Sequence, residues 1–469
     1  MPKESFALKL EIIVDEQSSY ILDGQSRICN WLYNHLLTKG FELKESFLVS
    51  QDKESAKTLY SERGLRNLVP AIKQEHPFLK VVHSSVLKNA ALRLSDSIQT
   101  HQKSKKGTRK KTGWPKYRSW KKKWFSLFYD EPTKGFKVED KSLILSLGMG
   151  KDRKQRSISV ELKEAHLLKE KTIRNLRITC DLGIYYAIFT LKKELPERKT
   201  ISKVIAFDPN HKNLAYGVDT ENTAIEIASP IWLKVYDKRI DELKRKRDHC
   251  QKKSKKIPIL DEKGEPTGKH YFLSSKRWIR YDRTIKKALY KRREQTKTFM
   301  YTSANDLFKR YDCVAVGDYT PSGQGVNSAM RRAMNNRSLI GRWKDILSWV
   351  AIKSGKTFME FDERGTTRTC HHCKYIEQQG IHVSLRIWEC PACQAVHIRD
   401  ENAAINGLEK VLRDLLVKYG RENLPTVSCS DLAFIQKRWA WSVLPSGVLK
   451  TLRGQNSNKM QLQEIKMRA

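Results

Sequence analysis

The spacing of hydrophobic positions changes repeatedly along this 469-residue chain, and each change marks out an element. Residues 6–14, FALKLEIIV, alternate loosely, which predicts a strand opening a small β domain. From Glu16 the spacing becomes helical: Leu22, Ile28, Leu32, Leu36 and Leu37 share one face, with Trp31 and Tyr33 beside them. Further helices are predicted over 56–69 and 79–102, the second carrying Val86, Leu87, Ala90, Leu92 and Leu94. Short strand-like runs return at 125–129, 142–147, 157–162, 176–181 and 185–191, punctuated by Gly148, Gly150 and Gly183. A helical insert between strands of one β module is the simplest account of residues 1–199.

At Lys203 the texture changes. Val204-Ile-Ala-Phe207 is a short apolar run of the kind a fully buried strand carries, and Asp208-Pro-Asn ends it. Residues 215–218 and 224–227 supply two more strands of a meander. Two long basic helices follow, about 233–253 and 275–307, with Asp261-Glu-Lys-Gly-Glu-Pro-Thr-Gly268 as the turn region between them. Cys313-Val-Ala-Val-Gly317 is a second buried strand and 356–361 a third. Strands alternating with helices predict an α/β sheet. Past residue 400, Glu401-Asn-Ala-Ala leads into Leu408, Val411, Leu412 and Leu415, a helix with Gly420 as its stop. There is no internal repeat and no long low-complexity tract.

Charge narrows the range of partners. Ninety Lys and Arg against fifty-two Asp and Glu leave a formal charge of +38, which suits a polyanion because each neutralised phosphate releases counterions. The basic residues are interleaved with aromatic ones, a mixture suited to phosphate contact combined with stacking on bases. The run containing Lys105, Lys106, Arg109, Lys110 and Lys111 reads as a basic loop beside a phosphate backbone. Trp114, Lys116, Tyr117 and Arg118 extend that surface. No apolar run approaches the ~18 residues needed to span a bilayer, and the first residues lack the apolar core of a secretory signal. The expectation is a cytoplasmic protein with no membrane partner. Thiols stay reduced in that compartment, so nine cysteines favour metal binding over disulfides. Cys29, Cys180, Cys250, Cys313 and Cys429 are scattered and read as packing residues.

The remaining four form two CxxC pairs, Cys370/Cys373 and Cys390/Cys393, sixteen residues apart. Four thiolates in a tetrahedron make a structural zinc site with no open position for catalysis. His371, His372 and His382 lie nearby, but four Cys already complete the shell. Asp208 stands at the carboxyl end of a buried strand, where α/β sheets place their active sites. Asp400 opens a predicted helix, and taken alone it reads as an N-cap. Three carboxylates converging from distant segments would hold two divalent cations roughly 4 Å apart for phosphodiester hydrolysis. Mg²⁺ suits such a set, because it keeps several waters and takes few carboxylates.

These motifs resemble one family. Ile-Ala-Phe-Asp208-Pro-Asn, then Val-Ala-Val-Gly317-Asp318, the two CxxC pairs, and His-Ile-Arg-Asp400-Glu-Asn-Ala-Ala-Ile-Asn406 follow the order found in the TnpB family. These are RNA-guided RuvC-like endonucleases of insertion-sequence transposons, related to type V CRISPR effectors. The likeness is most specific over 356–407 and at Asp208. The resemblance implies a multidomain α/β protein. A wedge-like N-terminal β-barrel (1–15 and 112–199) would hold an inserted helical recognition lobe (16–111). An RNase H-like RuvC domain (200–364 and 395–420, helical insertion about 231–307) would be interrupted by a zinc ribbon (365–394), with 421–469 a variable tail. It also implies one structural Zn²⁺ and two catalytic Mg²⁺. The implied partners are a guide RNA from the protein's own locus and double-stranded target DNA beside a short flanking motif. The implied setting is the prokaryotic cytoplasm, at the nucleoid, as monomer or dimer. One departure matters: the family's second acid is a Glu at the end of the second RuvC strand, and here that position is Gly317. Either Glu363 or Asp318 replaces it, or the site is inactive and the protein is a guided repressor. Glu363 is the better placed, following a strand expected to neighbour that of Gly317. A miniature type V effector would read the same way. The catalytic set is thus Asp208, Glu363 and Asp400.

Overall fold

The structure, a computed structural model, describes residues 5–420 apart from 106–111, 120–123, 151, 153, 193, 195, 198–199, 211–213, 222, 262–263, 319–337 and 383–384. Beyond 420 it describes the backbone of two strands. The chain divides into two compact units, 1–194 and 195–469. Both mix helix and strand.

In the first unit, β1 (Ser5–Ile13) is followed by α1 (Glu16–Ser50), α2 (Lys53–Tyr60), α3 (Gly64–Asn67), α4 (Val69–Glu75) and α5 (Ser84–Lys105). The strands β2 (Leu127–Tyr129), β3 (Phe136–Glu139), β4 (Ser142–Met149), β5 (Gln155–Leu162), β6 (Ile173–Asp181) and β7 (Ile184–Lys192) come next. They form one antiparallel sheet in the order β2-β6-β7-β1-β5-β4-β3, so the first strand of the chain lies at its centre. Asp15 starts α1 by accepting a hydrogen bond from the Ser18 N–H at 2.6 Å. The single helix expected over 56–69 is instead three short ones. Chain reversal before Gly64 brings the Thr58 carbonyl to within 1.9 Å of where a Cβ would stand, and Pro70 opens the next helix. Leu32, Leu36, Leu37, Leu87, Ala90 and Leu94 share a core with Leu10, Leu127, Ile178 and Phe189 of the sheet.

The second unit is built on a five-stranded sheet. Its strands are β8 (Val204–Pro209), β9 (Ala215–Asp219), β10 (Ala224–Ile227), β13 (Cys313–Gly317) and β14 (Thr357–Phe361), in the order β10-β9-β8-β13-β14. β8, β13 and β14 run parallel; β9 and β10 are antiparallel. Between β10 and β13 lie α6 (Ile231–Lys252) and α7 (Lys276–Arg310). The turn region expected between them proves to be the tip of a hairpin, β11 (Lys256–Leu260) and β12 (Pro266–Phe272). Partly buried ion pairs, Arg292–Asp237 at 2.8 Å and Arg247–Asp282 at 3.3 Å, join α6 to α7. Next come α8 (Ile340–Ser354), the small strands β15 (Ile387–Glu389) and β16 (Val396–Ile398), and α9 (Arg399–Tyr419). A hairpin of β17 (Trp439–Val443) and β18 (Leu449–Arg453) follows.

Strand alternation explains the layering. Ile205, Phe207, Val314 and Val316 face a core with Phe299, Met300 and Leu307 of α7 and Trp343, Leu347 and Val350 of α8. Val204, Ala206, Cys313, Ala315 and Phe361 face the other way, onto Ala404, Ile405, Leu408, Val411 and Leu415 of α9. The odd–even pattern therefore puts Asp208, two residues past Ala206, on the α9 face. So does it for Gly317, two past Ala315. Helix α9 lies flush on the sheet because Gly407 leaves room for the Phe361 ring, whose Cζ would stand 2.5 Å from an added Cβ. Ala is a better helix former than Gly by about 1 kcal/mol, so an open helical site would gain from the change. Here Gly407→Ala is expected to destabilise the second unit instead, by about 1–3 kcal/mol, as read by denaturant unfolding of the full chain.

Candidate active site

Three acids meet at one end of this sheet. Val316 pairs with Phe207, and Gly317 with Phe361, so the C-terminal ends of β8, β13 and β14 are level. Asp208 is the penultimate residue of β8, and Glu363 follows β14 by two residues. The Glu363 N–H donates to Asp318 Oδ1 at 3.2 Å, and its carbonyl accepts from Thr366 N at 3.1 Å and Thr366 Oγ1 at 2.8 Å. Held this way, its side chain folds back over Gly317. A Cβ on Gly317 would stand 2.0 Å from Glu363 Oε1 and 2.4 Å from its Cγ. The strand-end position is a glycine because a carboxylate from the neighbouring strand occupies its space. Asp318 is exposed, and its carboxylate is engaged in holding the Glu363 backbone.

Asp400 lies in the first turn of α9 rather than at its cap, which is Ile398. β16 runs into α9 without a loop, and across the hairpin Ile387 pairs with Ile398. The Arg386 carbonyl accepts the Arg399 N–H at 2.8 Å, and the Arg386 side chain reaches Asp400. Arg386 NH1 donates to both Asp400 oxygens, at 3.1 and 3.0 Å, and Arg399 Nε lies 3.7 Å from Oδ1. Burial pushes the Asp208 carboxyl well above the usual carboxylate range, and repulsion from Glu363 and Asp400 adds to it. Arg399 and Arg386 oppose that rise without cancelling it. These couplings mark the three acids as one electrostatic cluster. A cation at that point would relieve the repulsion on Asp208.

The four cysteine sulfurs all lie within 4.8 Å of one another. Cys370 and Cys393 are 3.7 Å apart and Cys373 and Cys390 are 3.5 Å apart. A tetrahedral zinc with bonds near 2.3 Å requires edges of about 3.8 Å, so the thiols fit the ion. The two knuckles repeat one backbone turn: Lys374 N donates to Cys370 O, Gln394 N to Cys390 O, and both Lys374 and Gln394 have positive φ. A histidine that pattern reading did not single out touches this site. His397 is 4% exposed, its Nε2 is 3.0 Å from Cys370 Sγ, and burial pushes its pKa down to about 4. Its ring nitrogen is thus within hydrogen-bond reach of one of the four sulfurs.

Of the residues expected to meet nucleic acid, Lys106, Arg109, Lys110 and Lys111 lie outside the described residues, and Lys105 is the last residue of α5. Residues 112–119 form a strap along α1. Asn34 exchanges two hydrogen bonds with the Arg118 backbone, at 3.0 and 2.8 Å. The Arg118 guanidinium lies 3.6 Å from the Tyr33 ring centre and donates to Asn30 Oδ1 at 3.0 Å. Trp114 packs against the core of the first unit, with Lys44 4.7 Å from its ring. Trp114 and Arg118 thus anchor the strap, whereas Lys116 and Tyr117, the latter 54% exposed, face outward.

Arg386 escaped sequence reasoning altogether, since nothing in its neighbourhood points to an acid fourteen residues on. Asn402, Asn406 and Lys410 also escaped it. Their spacing of four, which places them on one helix face, was the available signal.

The stretch 341–407, from α8 into α9, matches the family model described as Cas12f1-like, TNB domain. The TnpB-like protein L79 of Acanthamoeba polyphaga mimivirus is 27% identical over 147 residues, which is 30% of this chain and 28% of that protein. Two further TnpB-like proteins of the same virus match at the same identity. The chain thus spans less than a third of the length of these relatives. In overall fold it is similar to a solved Cas12f1–sgRNA–target DNA complex, with a TM-score of 0.52, 11% identity, and 84% of this chain and 83% of that one covered.

Two outcomes follow from the site. Gly317→Ala is expected to displace the Glu363 carboxylate and weaken divalent-cation binding although residue 317 supplies no ligand, which Mn²⁺ titration checks. For Asp208, the folded carboxyl lies above its unfolded value near 3.9. The stability held by its neutral form is complete below that value and is lost as pH rises through the folded pKa. In chelator at pH 7, Asp208→Asn is therefore expected to raise the thermal midpoint, at about 2–4 °C per kcal/mol relieved. The difference should vanish below about pH 4.

Proposed function

The chain is a TnpB-family protein, and from that premise we propose that it is an RNA-guided, Mg²⁺-dependent DNA endonuclease with one RuvC-like site. In this reading the second unit is the RNase H-like nuclease domain, with α6 and α7 its helical insertion and residues 365–394 its zinc ribbon. The sheet of the first unit is the wedge-like barrel, and α1–α5 are the recognition lobe. The observation that carries the reading is the Glu363 side chain standing over Gly317. It supports the reading because it brings a carboxylate to the strand end where the family's Glu is replaced by Gly317, close enough to Asp208 to raise its proton affinity together with Asp400.

Magnesium held by Asp208, Glu363 and Asp400 would supply an activated water and charge stabilisation at the leaving oxygen. The chain's own contribution is arrangement and charge. Without a cation, burial and two neighbouring carboxylates disfavour the Asp208 anion and favour its protonated form. Arg386 holds Asp400 through both oxygens, and its planar fork is equally matched to a phosphodiester. It is thus placed to hold Asp400 in the free protein and to receive DNA once the site is loaded. The knuckle fixes the hairpin that presents Arg386. No helix among the described residues is long and apolar enough to cross a membrane. With a charge of +38, the protein is read as acting on nucleic acid in the cytoplasm. A guide RNA from its own locus would choose the sequence, and the first unit would read a short flanking motif.

The test uses the purified protein–RNA complex with matched duplex DNA. Asp208→Ala and Glu363→Ala are each expected to lower cleavage on the order of 10²-fold or more. Target binding should stay nearly unchanged, because phosphate contacts come from Lys and Arg. Gly317→Glu combined with Glu363→Gly puts the carboxylate back on β13 and is expected to cleave better than Glu363→Gly alone. Cleavage that survives either alanine change would remove the acid assignment. Occupancy of the target by wild-type complex without any cut in Mg²⁺ or Mn²⁺ would favour a guided repressor. Sequencing the co-purified RNA tells a transposon-derived guide from a CRISPR repeat.

Acidity should act through Asp208. At fixed Mg²⁺, cleavage is expected to rise with pH as the proton leaves, and the acid limb should move to lower pH as Mg²⁺ is raised.

A further inference from the structure

One face of α9 grips the segment that carries Glu363. Residues 402, 406 and 410 are spaced four apart and so line a single stripe. Lys410 Nζ donates to the carbonyls of Asp362 at 2.8 Å and Arg364 at 2.7 Å. Asn406 Nδ2 donates to Thr366 O at 2.9 Å and Thr369 O at 2.7 Å. Asn402 Nδ2 donates to Thr369 O at 2.8 Å, with longer contacts to Thr366 O and Thr367 O, and its Oδ1 accepts the His371 N–H at 2.9 Å. Asn402 and Asn406 are 1% and 5% exposed. The segment 362–369 belongs to no helix and only bridges to a neighbour at Thr369, so its buried carbonyls need side-chain donors. The stripe supplies them.

The same bonds join the two metal-binding places. Thr366, whose carbonyl both asparagines hold, is the residue whose N–H and hydroxyl fix the Glu363 carbonyl. Asp400 precedes Asn402 by two residues in the same helix. At the other end, His371 lies inside the first cysteine knuckle. One rigid helix face therefore sets Glu363 against Asp400 and holds the knuckle in register with both.

We propose that Asn402, Asn406 and Lys410 are positioning residues that place the Glu363 carboxylate for divalent-cation binding. This rests on reading Asp208, Glu363 and Asp400 as a cation site, and it goes further by assigning the placement to groups that touch no cation. Supporting residues of this kind change metal affinity by about 10–100-fold when removed.

The experiment titrates Mn²⁺ into the full-length protein–RNA complex and follows free Mn²⁺ by electron paramagnetic resonance. Zinc content and target-DNA binding are measured on the same samples. Asn406→Ala is expected to raise the half-saturating Mn²⁺ about 10–100-fold, with zinc still one per chain and DNA binding unchanged. Lys410→Ala changes a residue nearer the surface and threatens the fold least. It should shift Mn²⁺ in the same direction by a few-fold. Asp208→Ala is the control for the underlying reading. Wild-type Mn²⁺ binding in both Asn406→Ala and Lys410→Ala, while Asp208→Ala weakens it, would overturn the positioning role and leave the cation site standing. Loss of zinc together with Mn²⁺ in both variants would show a role in folding the ribbon only. Unchanged Mn²⁺ binding in Asp208→Ala would remove the cation site and the proposal with it.

Discussion

Carboxylates brought together at one end of a sheet are the physical fact to which this unit answers. Burial raises the proton affinity of Asp208, and repulsion from the neighbouring Glu363 and Asp400, stronger there than in water, raises it further. Every neighbouring part compensates. Arg386 and Arg399 bring positive charge to Asp400 from two sides. Thr366 and Asp318 fix the backbone of Glu363, so that its carboxylate does not swing away into solvent. The buried strands behind are apolar on both faces and supply rigidity, with Phe207 packed edge-on to Trp343 at 5.5 Å. Perturbed carboxylates of this kind cluster at functional sites.

The glycine at 317 follows from the same geometry. Two carboxylates from adjacent parallel strands cannot occupy one volume, so a Glu arriving from β14 requires an empty Cβ position on β13. The reverse arrangement, an acid on β13 and none after β14, would fill the same space. The two solutions are nearly equivalent in where the charge ends up. They differ in what supports it, since a strand-end residue is held by the ladder, whereas Glu363 sits in a turn and depends on Asp318, Thr366 and the α9 face.

Much of this was legible from residues alone, for reasons that can be stated. Val204-Ile-Ala-Phe207 announces a buried strand, and period two then assigns Asp208 to a face. The cysteine spacing fixes the knuckle because four thiolates at that separation have one common use. Long basic helices such as α6 and α7 declare themselves through sustained helical spacing. What stayed hidden was set by tertiary contact. β3 is only four residues long, too short for its alternation to stand out, and the strands of the hairpin β11–β12 are exposed and flank a stretch with Gly264, Pro266 and Gly268 that reads as a turn. Gly64 gave no warning that it would split a helix, since the obstruction is a carbonyl from the preceding turn. Trp114 and Arg118 sit in an aromatic, basic motif that composition reads as a binding surface, yet α1 uses both to hold the strap. Arg386 and the asparagines act on groups far away in sequence.

Placing a four-cysteine knuckle between β14 and α9 solves a problem of the fold. Glu363 and Asp400 are 37 positions apart, and a flexible connection of that length would leave their separation undefined. The knuckle shortens the connection to a rigid hairpin. β16 then runs directly into α9, so the helix start is fixed by strand pairing rather than by a cap. With both ends held, the α9 face can take the 362–369 carbonyls in a fixed register. The ribbon thus adds no group that needs an open metal position. It defines where two acids stand and where Arg386 meets Asp400. On the reading proposed above, the cysteine knuckle and the acid cluster are one device, in which the first gives shape to the second.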